Sequence, residues 1–489
     1  MTPKARSGAA CARSSTPGRA RTREDAVAGV NNDTIVAVVT PPGRGGVGIV
    51  RVSGPAAREL GGKLFLSRRP GFSGLKPYRL HHGILTDGTG RHLDDVLAAF
   101  IPGPGSYTGE DVLEFNCHGS PAILRAAVAA CLSLGARHAR PGEFTKRAFL
   151  AGRMDLSQAQ AVAELVAADT TASSGLALAR LEGLMARRAV ELRSALEALR
   201  VQICLAVDFP EDEVECMPPD AFLESVREVM ASIRVLIDAH GRAAPFREGA
   251  MAVLTGPVNA GKSSLLNALV GRERAIVCDV PGTTRDFLEE QLDLDGLPVR
   301  LVDTAGLRRT DDPVEREGVA RCLELVRQCR AVVLVLDGAA PFDRSGLEEL
   351  LGPVPLEASR VLAAINKADL PPAADGPASV LEGAGMESVS VSARTGQGLD
   401  ELCARLRRRF LSGGAIPDSE PVPNDREKAL LADALDELGA LAADLEAGVP
   451  PDLLGVRLET ACALLDGITG AITPQAVLDA IFDGFCIGK

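Results

Sequence analysis

No stretch of the 489 residues approaches the roughly 18 uninterrupted apolar residues that a membrane-crossing helix needs, so no span is expected. C-x-x-C pairs and cysteine–histidine metal spacings are also missing, which excludes the common zinc and redox frameworks. The eleven cysteines, an odd number, therefore read as reduced and mostly buried thiols. Excess positive charge is lacking: the formal net charge is -12, which argues against wrapping nucleic acid by bulk electrostatics but leaves room for a local basic patch. No repeat of solenoid length is visible. The first acidic residue is Glu24, and the basic, Ser/Ala/Gly-rich start has no apolar core of the kind secretion uses. Residues 1–30 thus fit an organellar transit segment, a disordered tail or an upstream start, and are set aside.

What remains is globular in composition, 46% apolar and 24% charged, and too long for one ordinary core. "TIVAVVTPPGRGGVGIVRVSG" (34–54) holds two strand-like runs around a Pro/Gly/Arg loop, and short strands with turn signals continue to about residue 120. These predict an α+β unit over 31–150. From Leu156 to Val207 the spacing is helical, with Leu192, Leu196, Leu199 and Ile203 on one face. Ser157 with Gln160 resembles a capping box at its start. A further helix is expected from Ala221 to Ala239, after the break "DFPEDEVECMPPD". Apolar strands ("AMAVLT", "VRLVD", "AVVLVLD", "RVLAAIN", "SVSVS") then alternate with helices, which predicts a mostly parallel covered sheet. "SGGAIPDSEPVP" (412–423) reads as a linker, and helical periodicity resumes after Asn424, whose capping partner is Glu427. The expected fold is α+β multidomain: an N-terminal α+β domain, an all-α domain in two parts (151–247 and 413–489), and a Ras-like α/β P-loop domain (248–412) inserted between them.

The inserted block carries the clearest chemistry. "GPVNAGKS" (256–263) fits G-x-x-x-x-G-K-[ST] between a strand and a helix. Gly256 and Gly261 let the backbone curl so that amides face phosphate oxygens; Asn259, Ala260, Gly261, Lys262, Ser263 and Ser264 form the cradle. Lys262 reaches the terminal phosphates, Ser263 ligates magnesium, and the helix N-terminus favours the anion. In "DTAG" (303–306), Asp303 supports the magnesium shell, Thr304 and Ala305 follow, and Gly306 offers its amide to the γ-phosphate. "NKAD" places Asn366, Lys367 and Asp369 at the end of a strand, with the Asp369 carboxylate able to accept both guanine N–H donors. "SAR" brings Ser392, Ala393 and Arg394, the Ala393 amide facing the guanine oxygen. Four ordered matches at the carboxyl ends of strands define a GTP-binding domain.

Hydrolysis needs something more. Where Ras-like proteins carry a water-orienting glutamine after D-x-x-G, this chain has Leu307, which can neither orient nor activate water. The acidic "DDPVERE" supplies replacements. In "CDVPGTTRD" (278–286) Thr284 can give a second magnesium contact, while Arg285 is either an arginine finger or an exposed switch-loop arginine.

"NAGKSSLLNAL", "PGTTRD" and "DTAGLR" resemble the MnmE (TrmE) family of tRNA-modification GTPases. So do "DTIVAVVTPPGRGGVGIVRVSG", "SYTGEDVLEFNCHG", "RPGEFTKRAFLAGRMDLSQAQAV" and "FCIGK", in the family's order over residues 33 to 489. The resemblance implies a potassium ion held by Asn259 with Cys278, Val280 and Thr283, in a loop where Asp279, Pro281, Gly282 and Thr284 also border the nucleotide. It implies Glu315 as the residue that orients water, beside Lys262 and Gly306 in catalysis. The N-terminal domain is then a folate-binding and dimerisation domain, with Arg51, Glu114, Arg153 and Lys489 at a reduced folate (5-formyl- or methylene-tetrahydrofolate). Cys486 is a possible catalytic residue, as nucleophile, proton handler or pocket wall. The implied reaction adds an aminomethyl or carboxymethylaminomethyl group to carbon five of the wobble uridine of certain tRNAs. It takes place in the cytoplasm, in a homodimer that forms a heterotetramer with MnmG, on which the FAD resides. "GRGGVG" here lacks the helix and acidic residue of a dinucleotide site. The chain departs from the family pattern at Val258, where proline is frequent, at Cys278, where threonine is, and at Arg153, where lysine is. Two other readings are a ribosome-assembly-type GTPase, which would need an RNA-binding module such as a KH domain, and a non-enzymatic GTP-controlled scaffold. The arginines of "LRRRF" (406–410) either cap a solvated helix or touch tRNA.

Overall fold

The computed structural model describes residues 33–208, 217–272, 288–303, 329–351, 360–411 and 420–489. The chain divides into two compact units, Met1–Ala159 with Asp466–Lys489, and Gln160–Leu465. By contacts, residues 466–489 belong to the first of these units.

In the first unit, strands β1 (Ile35–Val38), β2 (Gly45–Ser53), β3 (Phe65–Ser67), β4 (Leu80–Thr86), β5 (His92–Ile101), β6 (Val112–Gly119) and β7 (Arg137–His138) form one sheet. Its order is β3-β4-β5-β6-β2-β1-β7, antiparallel except for the β1–β7 pair. Period-two alternation decides which face is covered. Along β5, Asp94, Val96, Ala98 and Phe100 are buried while Leu97 between them is exposed. The buried face packs against the helices Ala57–Leu64 and Pro121–Ser133, through Leu60, Leu64, Leu124 and Ala127. The helix Gln475–Asp483 joins this unit by packing Phe482 against Phe149, with ring centroids 6.4 Å apart.

The helix Leu156–Ala167 is capped two residues before the expected position, at Asp155 and not at Ser157. Asp155 Oδ1 accepts from the Gln158 amide and Gln158 Oε1 from the Asp155 amide, both at 2.9 Å. Ser157 cannot cap because its side chain is turned into the interior; its hydroxyl oxygen is buried without a partner. Gln160 instead accepts from Arg426.

The second unit combines helices with an α/β sheet. The helical run to 207 is broken into Leu156–Ala167, Thr171–Leu181 and Leu184–Asp208, and a Thr170–Ser173 capping box restarts the second. Leu192, Leu196, Leu199 and Ile203 are all buried, on one face as expected. The next helix runs from Pro219 to Glu248, nine residues beyond the expected end, and carries Pro245 inside it. The apolar stripe continues past Ala239 through Ala243 and Phe246, and that packing outweighs the local proline cost. Asn424 and Glu427 form the expected reciprocal cap of the helix Asp425–Glu446. No described helix is long and apolar enough to cross a membrane.

Strands β8 (Ala250–Thr255), β9 (Leu288–Leu294), β10 (Leu297–Asp303), β11 (Ala331–Asp337), β12 (Val361–Asn366) and β13 (Ser388–Ser390) lie in the order β13-β12-β11-β8-β10-β9. All neighbours are parallel except β9 with β10. Strands β11 and β12 are buried on both faces, hence their unbroken apolar runs. The antiparallel edge strand β9 is a departure from the expected alternation. Its turn, Asp295-Gly296, has φ of 53° and 89°, the two left-handed residues of a tight hairpin.

Candidate functional site

Strand β8 ends at Thr255, and the chain turns through residues 256–261 into the helix Lys262–Arg272. The turn is built on close approach. A Cβ on Gly256 (φ 145°) would lie 2.1 Å from the Val335 carbonyl oxygen; one on Gly261 (φ 88°) would lie 2.3 Å from Asn366 Nδ2. Asn259 takes a left-handed φ of 65° without that freedom. Lys262 is 9% exposed, and its Nζ donates to the carbonyls of Gly256 (2.9 Å) and Pro257 (2.8 Å). Burial draws its pKa below the ordinary lysine value, against the opposing pull of Asp303. Asp303, 4% exposed at the end of β10, accepts from the Ser263 hydroxyl at 2.9 Å. A hydroxyl and a carboxylate in contact are hard oxygen donors of the kind magnesium takes.

Asn366 ties the motifs together. Buried at the end of β12, it donates Nδ2 to the Ala260 carbonyl (2.9 Å) and accepts at Oδ1 from the Ala393 amide (3.1 Å). One side chain therefore spans the phosphate loop and the "SAR" loop. The Ala393 amide, expected to face a guanine oxygen, is engaged here by Asn366. Beside it, Asp369 Oδ1 accepts from the Ser392 hydroxyl and Oδ2 pairs with Arg394, each at 2.5 Å. The Ser392 hydrogen bond, with help from Arg394, lowers the Asp369 pKa and keeps the carboxylate ionised. Ser264 is exposed on the helix behind Ser263. Cys278, Asp279, Val280, Pro281, Gly282, Thr283, Thr284 and Arg285 lie outside the described residues, as do Thr304, Ala305, Gly306, Leu307 and Glu315. In the triple-arginine helix, Arg409 pairs with Glu387 at 2.6 Å and Arg407 faces Asp295 at 3.7 Å.

A second cluster lies on the N-terminal sheet. Arg51 on β2 and Glu114 on β6 are direct cross-strand partners, joined from Nε to Oε1 at 2.7 Å. The Arg51 guanidinium also sits over the rings of Tyr107 (5.8 Å) and Phe144 (5.7 Å). Tyr107 hydrogen-bonds Thr145 at 2.9 Å, and burial pushes its phenol pKa up. Phe144 links this cluster to the "FCIGK" segment: its amide donates to the Lys489 carbonyl at 3.1 Å. Ile487 bridges Pro141, and the Cys486 carbonyl accepts from Gly142 (3.4 Å) and Lys489 (3.3 Å). The Cys486 thiol is exposed while its backbone is docked. Cys117 and Cys131, by contrast, are buried, and burial pushes both thiols up to about 12. Arg153 runs beside Gly109, where an added Cβ would sit 3.6 Å from its Cγ.

Sequence reasoning missed what holds Tyr107 and Phe144 in place. Arg147, 6% exposed, donates to Asp33 Oδ1 (2.6 Å), both Glu110 oxygens (3.0 and 3.1 Å) and Glu143 Oε1 (3.1 Å). Arg137 grips Asp33 and Glu143 from the other side, and the Arg140 amide donates to Glu143 Oε2 at 2.8 Å. Glu110 closes the loop that carries Tyr107; Glu143 opens the helix that carries Phe144. The available signal was the charge pattern of "ARPGEFTKR", whose partners lie far away in sequence.

Comparison with known proteins gives a consistent match. A family model described as the MnmE helical domain matches residues 156–486, and one described as the GTP-binding protein TrmE N-terminus matches 34–153. The tRNA modification GTPase MnmE of Nitratidesulfovibrio vulgaris (strain DP4) is 50% identical over 462 residues, 94% of this chain and 100% of that protein. The protein of the same name from Lawsonia intracellularis is 43% identical, over 94% of this chain and 100% of its own length. That from Geobacter sulfurreducens is 40% identical, over 94% and 99%.

Proposed function

Because the chain belongs to the MnmE family of tRNA modification GTPases, we propose that it binds and hydrolyses GTP in the service of wobble-uridine modification. The observation that carries this is Asn366, which joins the phosphate loop to the base-recognition loop with the ionised Asp369 alongside. In use, Lys262 leaves its carbonyl partners for the β/γ-phosphates, while the amides after Gly256 and the start of the helix Lys262–Arg272 bind the remaining charge. Asp369 accepts the guanine N–H pair. Glu315 takes over water orientation from the position where Leu307 cannot serve, and Gly306 senses the γ-phosphate. Ser263 and Thr284, with Asp303 behind, would hold magnesium; Asn259, Cys278, Val280 and Thr283 would hold potassium. Bound there, the two cations would neutralise charge on the transferring phosphoryl group.

Arg51 and Glu114 would meet the reduced folate, the carboxylate facing the pterin N–H edge and the cation its acidic tail, with Arg153 and Lys489 nearby. Aromatic walls from Tyr107 and Phe144 suit a flat heterocycle. Homodimerisation through the N-terminal sheet is supported by its open face, where Leu66, Leu80 and Leu97 are exposed together on adjacent strands. The partner reading is an FAD-bearing MnmG-type protein acting with tRNA and a folate-derived one-carbon unit in the cytoplasm.

The potassium reading has a direct test. GTP turnover is expected to rise at least roughly tenfold in potassium over sodium at matched ionic strength. Equal rates in the two salts would remove potassium from the mechanism.

A further inference from the structure

Nothing above gives a role to Asp337, yet it stands at the end of β11 in direct register with Asn366. Its Oδ2 lies 2.6 Å from Lys367 Nζ, and its Oδ1 accepts from the Ala339 amide at 2.9 Å. Lys367 has a left-handed φ of 66°, a conformation a long L side chain rarely adopts unless its surroundings hold it there. The neighbouring backbone is stitched in the same direction. The Gly338 amide donates to the Asn366 carbonyl (2.8 Å), the Ala373 amide to the Gly338 carbonyl (3.0 Å), and the Phe342 amide to the Asp375 carbonyl (2.8 Å). The loop after β11 therefore braces the loop that carries Asn366 and Asp369 from both ends.

We propose that Asp337 is a positioning residue for guanine nucleotide binding: it anchors the Lys367 ammonium, and through it sets the loop that presents Asp369 to the base. This rests on the GTP-site reading above. Asp337 contacts the nucleotide only through Lys367, so its removal weakens binding and leaves the chemistry of the γ-phosphate alone. Both partners are partly exposed, 35% and 23%, so the pair acts by geometry more than by Coulomb energy.

The test is steady-state GTP hydrolysis by the full chain with Asp337→Asn, Lys367→Met and the double variant. Asparagine keeps an acceptor for the Ala339 amide but loses the charge that holds Lys367. The KM for GTP should rise roughly five- to tenfold in each single variant, with kcat within about twofold of the wild-type value. The double variant should be no worse than Lys367→Met alone, because the second residue acts through the first. Asp337→Glu should recover part of the affinity, and it serves as the informative variant should Asp337→Asn not fold. An unchanged KM, an equal fall in kcat, or multiplicative losses in the double variant would overturn the proposal. A wild-type chain that shows no saturable GTP turnover would instead overturn the site reading, and this inference with it.

Discussion

Asp369→Asn should cut kcat/KM for GTP by on the order of a thousandfold and raise the relative use of xanthosine triphosphate. The carboxylate presents two acceptors to the two N–H donors of guanine. An asparagine turns one acceptor into a donor, so a donor then faces the base amine. Xanthine carries an oxygen where guanine has that amine, and the altered pair matches again. Most of the binding frame survives the change. Ser392 can still donate to the remaining carbonyl oxygen, and Asn366 continues to bridge Ala260 and Ala393. The affected group is ionised in the native protein because Ser392, then Arg394, lower its pKa. Competition kinetics between the two triphosphates reads the result, and an undiminished preference for GTP would refute the base contact.

Glu143→Gln should lower the unfolding temperature of the N-terminal part by roughly 5–10 °C at neutral pH and flatten its acid response. Burial alone would raise the Glu143 pKa, but Arg137, the Arg140 amide and Arg147 together bring it down to about 2, from an ordinary 4.5. A depressed carboxylate pKa stabilises the fold fully above the unfolded value and loses that contribution as pH falls through the folded one. The window is therefore pH 4.5 down to about 2. Its depth follows from the shift, about 3 kcal/mol for this buried group. Thermal unfolding of the full chain followed across that range checks both points. A wild-type curve as flat as that of the variant would show that Glu143 is not the acid-sensitive element.

The candidate nucleotide site is legible because each of its motifs is short, ordered and placed at the carboxyl end of a strand. No long-range information was needed to see that Lys262, Asp303, Asn366 and Asp369 converge. The edge strand β9 is masked by its charged "LEEQLDL", although Asp295-Gly296 after it is a strong hairpin signal. The helix expected to end at Ala239 continues to Glu248 because the apolar stripe through Ala243 and Phe246 carries it past Pro245. Asp155 and Ser157 are equally good capping residue types, and only tertiary packing, which turns Ser157 inward, decides for Asp155. For the Arg147 network the sequence offers only the charge pattern of "ARPGEFTKR", with nothing to say which distant residues it meets. Asp33 and Arg147 are separated by 114 residues, and no periodicity relates them. The meeting of Phe149 with Phe482 has the same character, a contact written nowhere in the local pattern.

The docked segment gives the sharpest structural view of Cys486. Its carbonyl is fixed against Gly142 beside Phe144, whose ring underlies Arg51, and its thiol remains open to solvent. A buried core cysteine is excluded by that arrangement. What the thiol does belongs with the folate chemistry proposed for the same surface.

The central claim is that GTP turnover by this chain serves the modification of carbon five of the wobble uridine. Mass spectrometry of tRNA nucleosides from cells lacking the protein tests it most directly, with complementation by the wild-type chain and by Lys262→Ala. The modified uridines should vanish in the deletion, return with the wild-type chain and stay absent with the variant. Their persistence in the deletion strain, or full restoration by Lys262→Ala, would contradict the account.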